Sequence, residues 1–175
     1  MKKTILFLLT GLCAAVCAQS TETLSLFTDG AFHKGYGQGW WLNRGVSPKA
    51  KAGIVKEGSN SMLKIEVGEK GTAHVCSDHN FELDRKGTLH FSIRVKGEGV
   101  FTCGFYAYTG KGRFISSYTP KSVQVKSAGW TALQFNYPLA NVRKDAVKGK
   151  IVLFQTGKGT IFADDFQCTM TRPAE

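Results

Sequence analysis

The chain has 175 residues, 42% of them hydrophobic, and a formal net charge of +10. That length is about one domain's worth and can bury a core without disulfide staples. After the first 18 residues no apolar run is long enough to cross a bilayer as a helix.

The chain opens with "MKK", a basic start, followed by "TILFLLTGLCAAV", an apolar run of signal-peptide length. Val16 and Ala18 occupy the positions where signal peptidase wants small residues, which predicts cleavage after Ala18. Residues 1–18 are then a signal peptide, and 19–175 a single domain that is secreted or periplasmic. A lipoprotein cut before Cys17 fits less well, because Val16 stands where that enzyme prefers a smaller residue. An exported chain this basic points away from nucleic acid and towards acidic glycans, anionic lipid or envelope polymers. Cys76, Cys103 and Cys168 remain after cleavage. Three thiols allow at most one internal bridge, and buried apolar thiols are an equal alternative.

Next comes "TDGAFHKGYGQGWW" over 28–41, a glycine-loosened loop that ends in two tryptophans. Alternation places Phe32 and Trp40 in the core, with Trp41 facing the other way and Tyr36 exposed in the loop. Short segments of period two follow: 23–28, 61–67, 88–95, 100–109, 130–137, 150–156 and 160–170. Each has one apolar face, as a half-buried strand does. Glycine, Asn, Asp and Ser separate them, and 140–149 reads as a loop. Several short strands so spaced predict an all-β chain, an antiparallel β-sandwich of jelly-roll type.

One hairpin is predicted in detail. "KGEG" at 96–99 reads as its turn, which pairs Phe91 with Phe105 and Ile93 with Cys103. The opposite face then gathers His90, Ser92 and Arg94 beside Thr102, Gly104, Tyr106 and Tyr108. Flat aromatic faces with a few polar groups suit sugar rings. The expected ligand-binding set is therefore Tyr106, Tyr108, His90 and Arg94, with Trp41, Tyr36 and Trp130 at the rim. Gly104, opposite Ser92, would leave space for a ring. His74, Cys76 and His79 are zinc-ligand types, but no recognised spacing completes them.

Two stretches resemble a known family. "DGAFHKG" at 29–35 with "GW" at 39–40, and "IFADDF" at 161–166, are similar to the opening loop and closing strand of galactose-binding-like jelly-roll carbohydrate-binding modules. The resemblance covers essentially all of 19–175. It implies a non-catalytic module that binds a polysaccharide or other glycan, an acidic one if the charge is a guide. It also implies a structural calcium ion, with Asp164 or Asp165 as side-chain ligand and loop carbonyls from 29–34. His33 stands where the family usually has Glu, and imidazole is a poor calcium ligand. Two other readings stay open: a structural or protein-contact domain of the cell envelope, and a lyase-like enzyme using Tyr, His and Arg. The sequence has no Gly-x-Ser-x-Gly elbow for a hydrolase. Asp164 and Asp165, as strand neighbours, are expected to point apart.

Overall fold

The computed structural model describes residues 20–27, 32 and 39–174. The strands are β1 Thr21–Ser25, β2 Trp40–Leu42, β3 Lys51–Glu57, β4 Asn60–Val67, β5 Thr72–Glu82, β6 Thr88–Tyr108, β7 Phe114–Tyr118, β8 Val123–Pro138, β9 Lys148–Thr156 and β10 Gly159–Pro173. A single 3-10 turn, Leu139–Asn141, interrupts them. Every pairing is antiparallel. The all-β jelly-roll sandwich expected from the alternation is the fold observed.

The 21-residue strand β6 organises the molecule. Its first half lies between β10 and β8, and its second half between β9 and β7. The hydrogen-bonded sheet thus folds over on itself along one strand. The first layer runs β3-β4-β10-β6-β8, with β1 beside the end of β10. The second runs β2-β5-β9-β6-β7. Leu89, Phe91, Ile93 and Val95 in one layer, and Phe101, Cys103, Phe105 and Ala107 in the other, are all buried in one core.

This overturns the hairpin. Phe91 pairs with Cys168 and Phe135, not Phe105, and Ile93 pairs with Leu133. Phe105 pairs with Ile151 and Tyr118, and Cys103 with Leu153. "KGEG" bends the strand instead of reversing it. Gly97 takes φ +117°, and a Cβ there would overlap the Thr160 carbonyl oxygen. Glycine is needed because two backbones cross closely where one layer becomes the other. The inward residues were assigned correctly because period two survives a bend; their partners were not.

A second irregularity lies in β10. Its register with β6 shifts between Asp164 and Gln167, and Asp165 sits at φ +50°. Ile161 and Ala163 face the core before the bulge, and Phe166, Cys168 and Met170 after it. One extra residue has moved the inward set from odd to even positions.

Trp40 closes the core as expected. Its ring meets Phe27, Phe32 and Phe166 at centroid distances of 5.0, 5.2 and 5.6 Å. Cys76, Cys103 and Cys168 are buried free thiols. No helix among the described residues is long and apolar enough to cross a membrane.

Candidate functional site

The continuity of β6 splits the expected ligand set in two. Trp41, Tyr106 and Tyr108 lie on the outer face of the second layer. His90, Arg94 and Trp130 lie on the outer face of the first, across the core. Tyr36 and His33 fall outside the described residues.

On the second layer, Trp41 pairs with Cys76, which pairs with Val152, which pairs with Gly104. One step along, Lys150 is in register with Tyr106, and Lys148 with Tyr108. Cys76, Tyr106, Val152, Phe154 and the part-buried Tyr108 form a small apolar cluster separate from the main core. Trp41 is 37% exposed at its edge, and the Lys150 ammonium lies 5.7 Å from its ring centroid. Phe114, 53% exposed, stands edge-on to Tyr106 and Tyr108 at 5.3 and 5.9 Å. Aromatic side chains and lysines thus alternate across adjacent strands. Lys150 makes no ion pair among the described residues, and its register neighbour on β5 is Asn80.

A polar network fixes this face from beneath. The Tyr106 hydroxyl lies 2.6 Å from His74 Nδ1 and accepts from Asn43 Nδ2 at 3.2 Å. Burial holds the His74 pKa below the ordinary histidine value, which favours its neutral ring. Burial also raises the Tyr106 phenol, and the neighbouring Cys76 adds to the shift. Burial pushes the Cys76 thiol up to about 12, against a smaller opposing effect of Lys150. No cluster of three His, Cys, Asp or Glu that could hold a metal occurs among the described residues. Gly104 leaves no space for a ring: the Tyr118 carbonyl, Thr119 and Phe154 already occupy it, and its lateral neighbour is Val152, not Ser92.

On the first layer, the expected residues are engaged within the protein. Asn136 Oδ1 lies 2.9 Å from His90 Nδ1, so that nitrogen donates; Nε2 lies 2.8 Å from the Thr171 hydroxyl. Arg94 stacks over Trp130 at 5.4 Å, and Lys96 lies over the same ring at 4.7 Å. Arg94 also meets Asp164 at 3.3 Å and Asp165 at 2.6 Å. The β10 bulge is what brings both carboxylates to one guanidinium. The expectation that they point apart is corrected here, since it assumed unbroken alternation.

Asp164 is 1% exposed. Its Oδ2 also accepts from Asn60 Nδ2 at 2.8 Å, and its Oδ1 from the Asp165 backbone N–H at 2.8 Å. Both Asp164 oxygens and one Asp165 oxygen therefore face donors of the protein itself. The loop carbonyls expected to complete a calcium site, 29–31 and 33–34, lie outside the described residues.

Sequence reasoning missed Lys148, Lys150, Asn43 and Phe114, and weighed His74 only as a metal-ligand type. Alternation in β9 signalled that both lysines face outward. Their place beside the tyrosines needed the pairing of β6 with β9.

No family model matches the sequence, and no curated protein does. Solved structures match over almost the whole chain. A CBM22-1 xylan-binding domain of Xyn10C from Paenibacillus barcinonensis superposes with TM-score 0.57 and 17% identity, covering 90% of this chain and 99% of that one. A cyclase from Fischerella sp. TAU gives 0.64 and 12%, covering 88% and 100%. A family 16 carbohydrate-binding module gives 0.51 and 12%, covering 82% and 98%. At these identities the likeness is one of fold alone, a jelly-roll fold that carbohydrate-binding modules and the cyclase share.

Proposed function

We propose that this protein binds carbohydrate without transforming it, on the outer face of the second layer, and that its ligand is an acidic glycan. The observation that carries the reading is the register of Tyr106 with Lys150 and Tyr108 with Lys148, with Lys150 over Trp41. The exposed rings of Trp41 and Phe114 can stack against the C–H faces of sugars, Tyr106 being buried at 5% exposure, and the Lys148 and Lys150 ammonium groups, which make no ion pair among the described residues, suit uronate carboxylates. The His74–Tyr106–Asn43 network holds the platform in place before ligand arrives, which lowers the entropy cost of binding. Carbohydrate-binding neighbours on the same fold support the sugar class. The basic, apolar N-terminus supports export, to the periplasm or beyond.

The lyase reading needed Tyr, His and Arg to converge. Tyr106 and Arg94 stand on opposite faces of the sandwich, and a buried phenol with a raised pKa is a poor base at neutral pH.

Affinity electrophoresis against polygalacturonate and against neutral xylan tests the proposal. Retardation by polygalacturonate is expected, about tenfold weaker in Lys150→Ala and abolished in Trp41→Ala. Equal retardation by neutral xylan, with Lys150→Ala behaving as the parent, overturns the acidic assignment. No retardation by either polymer overturns the glycan reading and leaves an envelope-protein contact.

A further inference from the structure

We infer a second carbohydrate site, for one neutral sugar residue, on the outer face of the first layer. Three strands meet there in register: Thr169, His90 and Asn136 form one row, and Gln167, Ser92 and Gln134 the next. The β10 bulge turns Gln167 and Thr169 outward, and without it that edge would present Phe166 and Cys168. These six residues, together with Phe91, line a groove of about 180 Å³. That is small beside the ~300–1,000 Å³ of pockets for drug-sized ligands, and sets the occupant at a single ring.

The floor and walls differ in reach. Ser92, at the centre, is short. Gln134 and Gln167, on the strands either side of it, are long and frame the space. The side chains of Ser92, Gln134, Gln167 and Thr169 make no hydrogen bond among the described residues. Asn136 is held by His90 through its oxygen, which leaves its NH2 group to donate. Carboxamides offer two donors and an acceptor on one rigid group, a match for neighbouring hydroxyls that each donate and accept.

Charge decides the ligand class. No Lys, Arg, Asp or Glu lines the groove. The nearest cation in the row beyond, Arg94, is neutralised by Asp164 and Asp165. The site therefore suits a neutral sugar, whereas the opposite face presents Lys150, which makes no ion pair among the described residues. No aromatic face is open here either, because Lys96 and Arg94 cover Trp130. The sugar is held by its edge through hydroxyls, which gives weak, millimolar binding.

The test uses the 15N-labelled protein and follows the side-chain NH2 resonances of Gln134, Asn136 and Gln167. Glucose, galactose, mannose and xylose are titrated separately to roughly 100 mM, to reach Kd values of about 1–10 mM. At least one sugar is expected to move all three NH2 pairs along a saturable curve while the Trp41 indole N–H stays still. Gln134→Ala and Gln167→Ala, both surface changes, are expected to weaken that curve about tenfold. Shifts that centre on the Trp41 indole, or no saturable shift with any of the four sugars, overturn the inference. So does a curve unchanged in both variants. None of these outcomes depends on polygalacturonate binding at the other face.

Discussion

His74 shows how one side chain ties the candidate face to pH. Its imidazole is part-buried and held below the ordinary pKa, and it is hydrogen-bonded to the Tyr106 hydroxyl. The folded chain therefore takes up this proton less readily than the unfolded chain. The associated stability is complete above the unfolded value of 6.5 and is lost as pH falls from there towards the folded value. Thermal melts are expected to show Tm falling from about pH 7 to about pH 5, with a shallower fall in His74→Gln. Identical slopes for the two proteins would remove His74 from the account. Asp164 makes the complementary case. Arg94 is 44% exposed, so the ion pair itself contributes little, and the loss in Asp164→Ala comes from unpaired donors. Those donors are Asn60 Nδ2 and the Asp165 N–H. A cost of about 2 kcal/mol is expected in urea unfolding, with Asp164→Asn milder. Calcium bears on the same pair. Millimolar calcium and EDTA are expected to leave Tm alone; a calcium-dependent rise that disappears in Asp165→Asn would mean the ion displaces the guanidinium.

At the scale of the element, β6 and β10 each depend on irregular positions. In β6 one of them is Gly97, where a side chain would meet the Thr160 carbonyl and the backbone is left-handed. Gly97→Ala is expected to cost about 2 kcal/mol or more, while Gly129→Ala, with open space around it, is expected to be near neutral. Comparable unfolding midpoints for the two would mean the layer crossing does not need glycine. In β10 the bulge at Asp165 decides which residues face solvent. It pairs two carboxylates with Arg94 and delivers Gln167 and Thr169 to the polar groove.

For the whole molecule, the two outer faces differ in chemistry. One carries aromatics interleaved with lysines that make no ion pair among the described residues; the other carries amides and hydroxyls beside the paired Arg94, Asp164 and Asp165. Exposed charges act through solvent that salt can screen. Raising ionic strength from about 50 to 200 mM is expected to weaken polygalacturonate binding several-fold while leaving neutral-sugar shifts unaltered. Equal salt sensitivity of both would show that the faces do not divide the work by charge.

The sequence by itself determined the all-β class, most of the inward positions, and the opposed roles of Trp40 and Trp41. Each follows from alternation, which is a property of one strand at a time. It did not determine that 88–108 is one strand, because a glycine pair that bends looks the same in sequence as one that turns. Nor did it determine that Asp164 and Asp165 share a partner, because a bulge appears only against a neighbouring strand. Which side chains stand together on a face depends on cross-strand register and on which layer each half of β6 joins. Those are long-range pairings, and only the tertiary structure decided that Lys150 belongs with Tyr106 and Trp41, and that Arg94 does not.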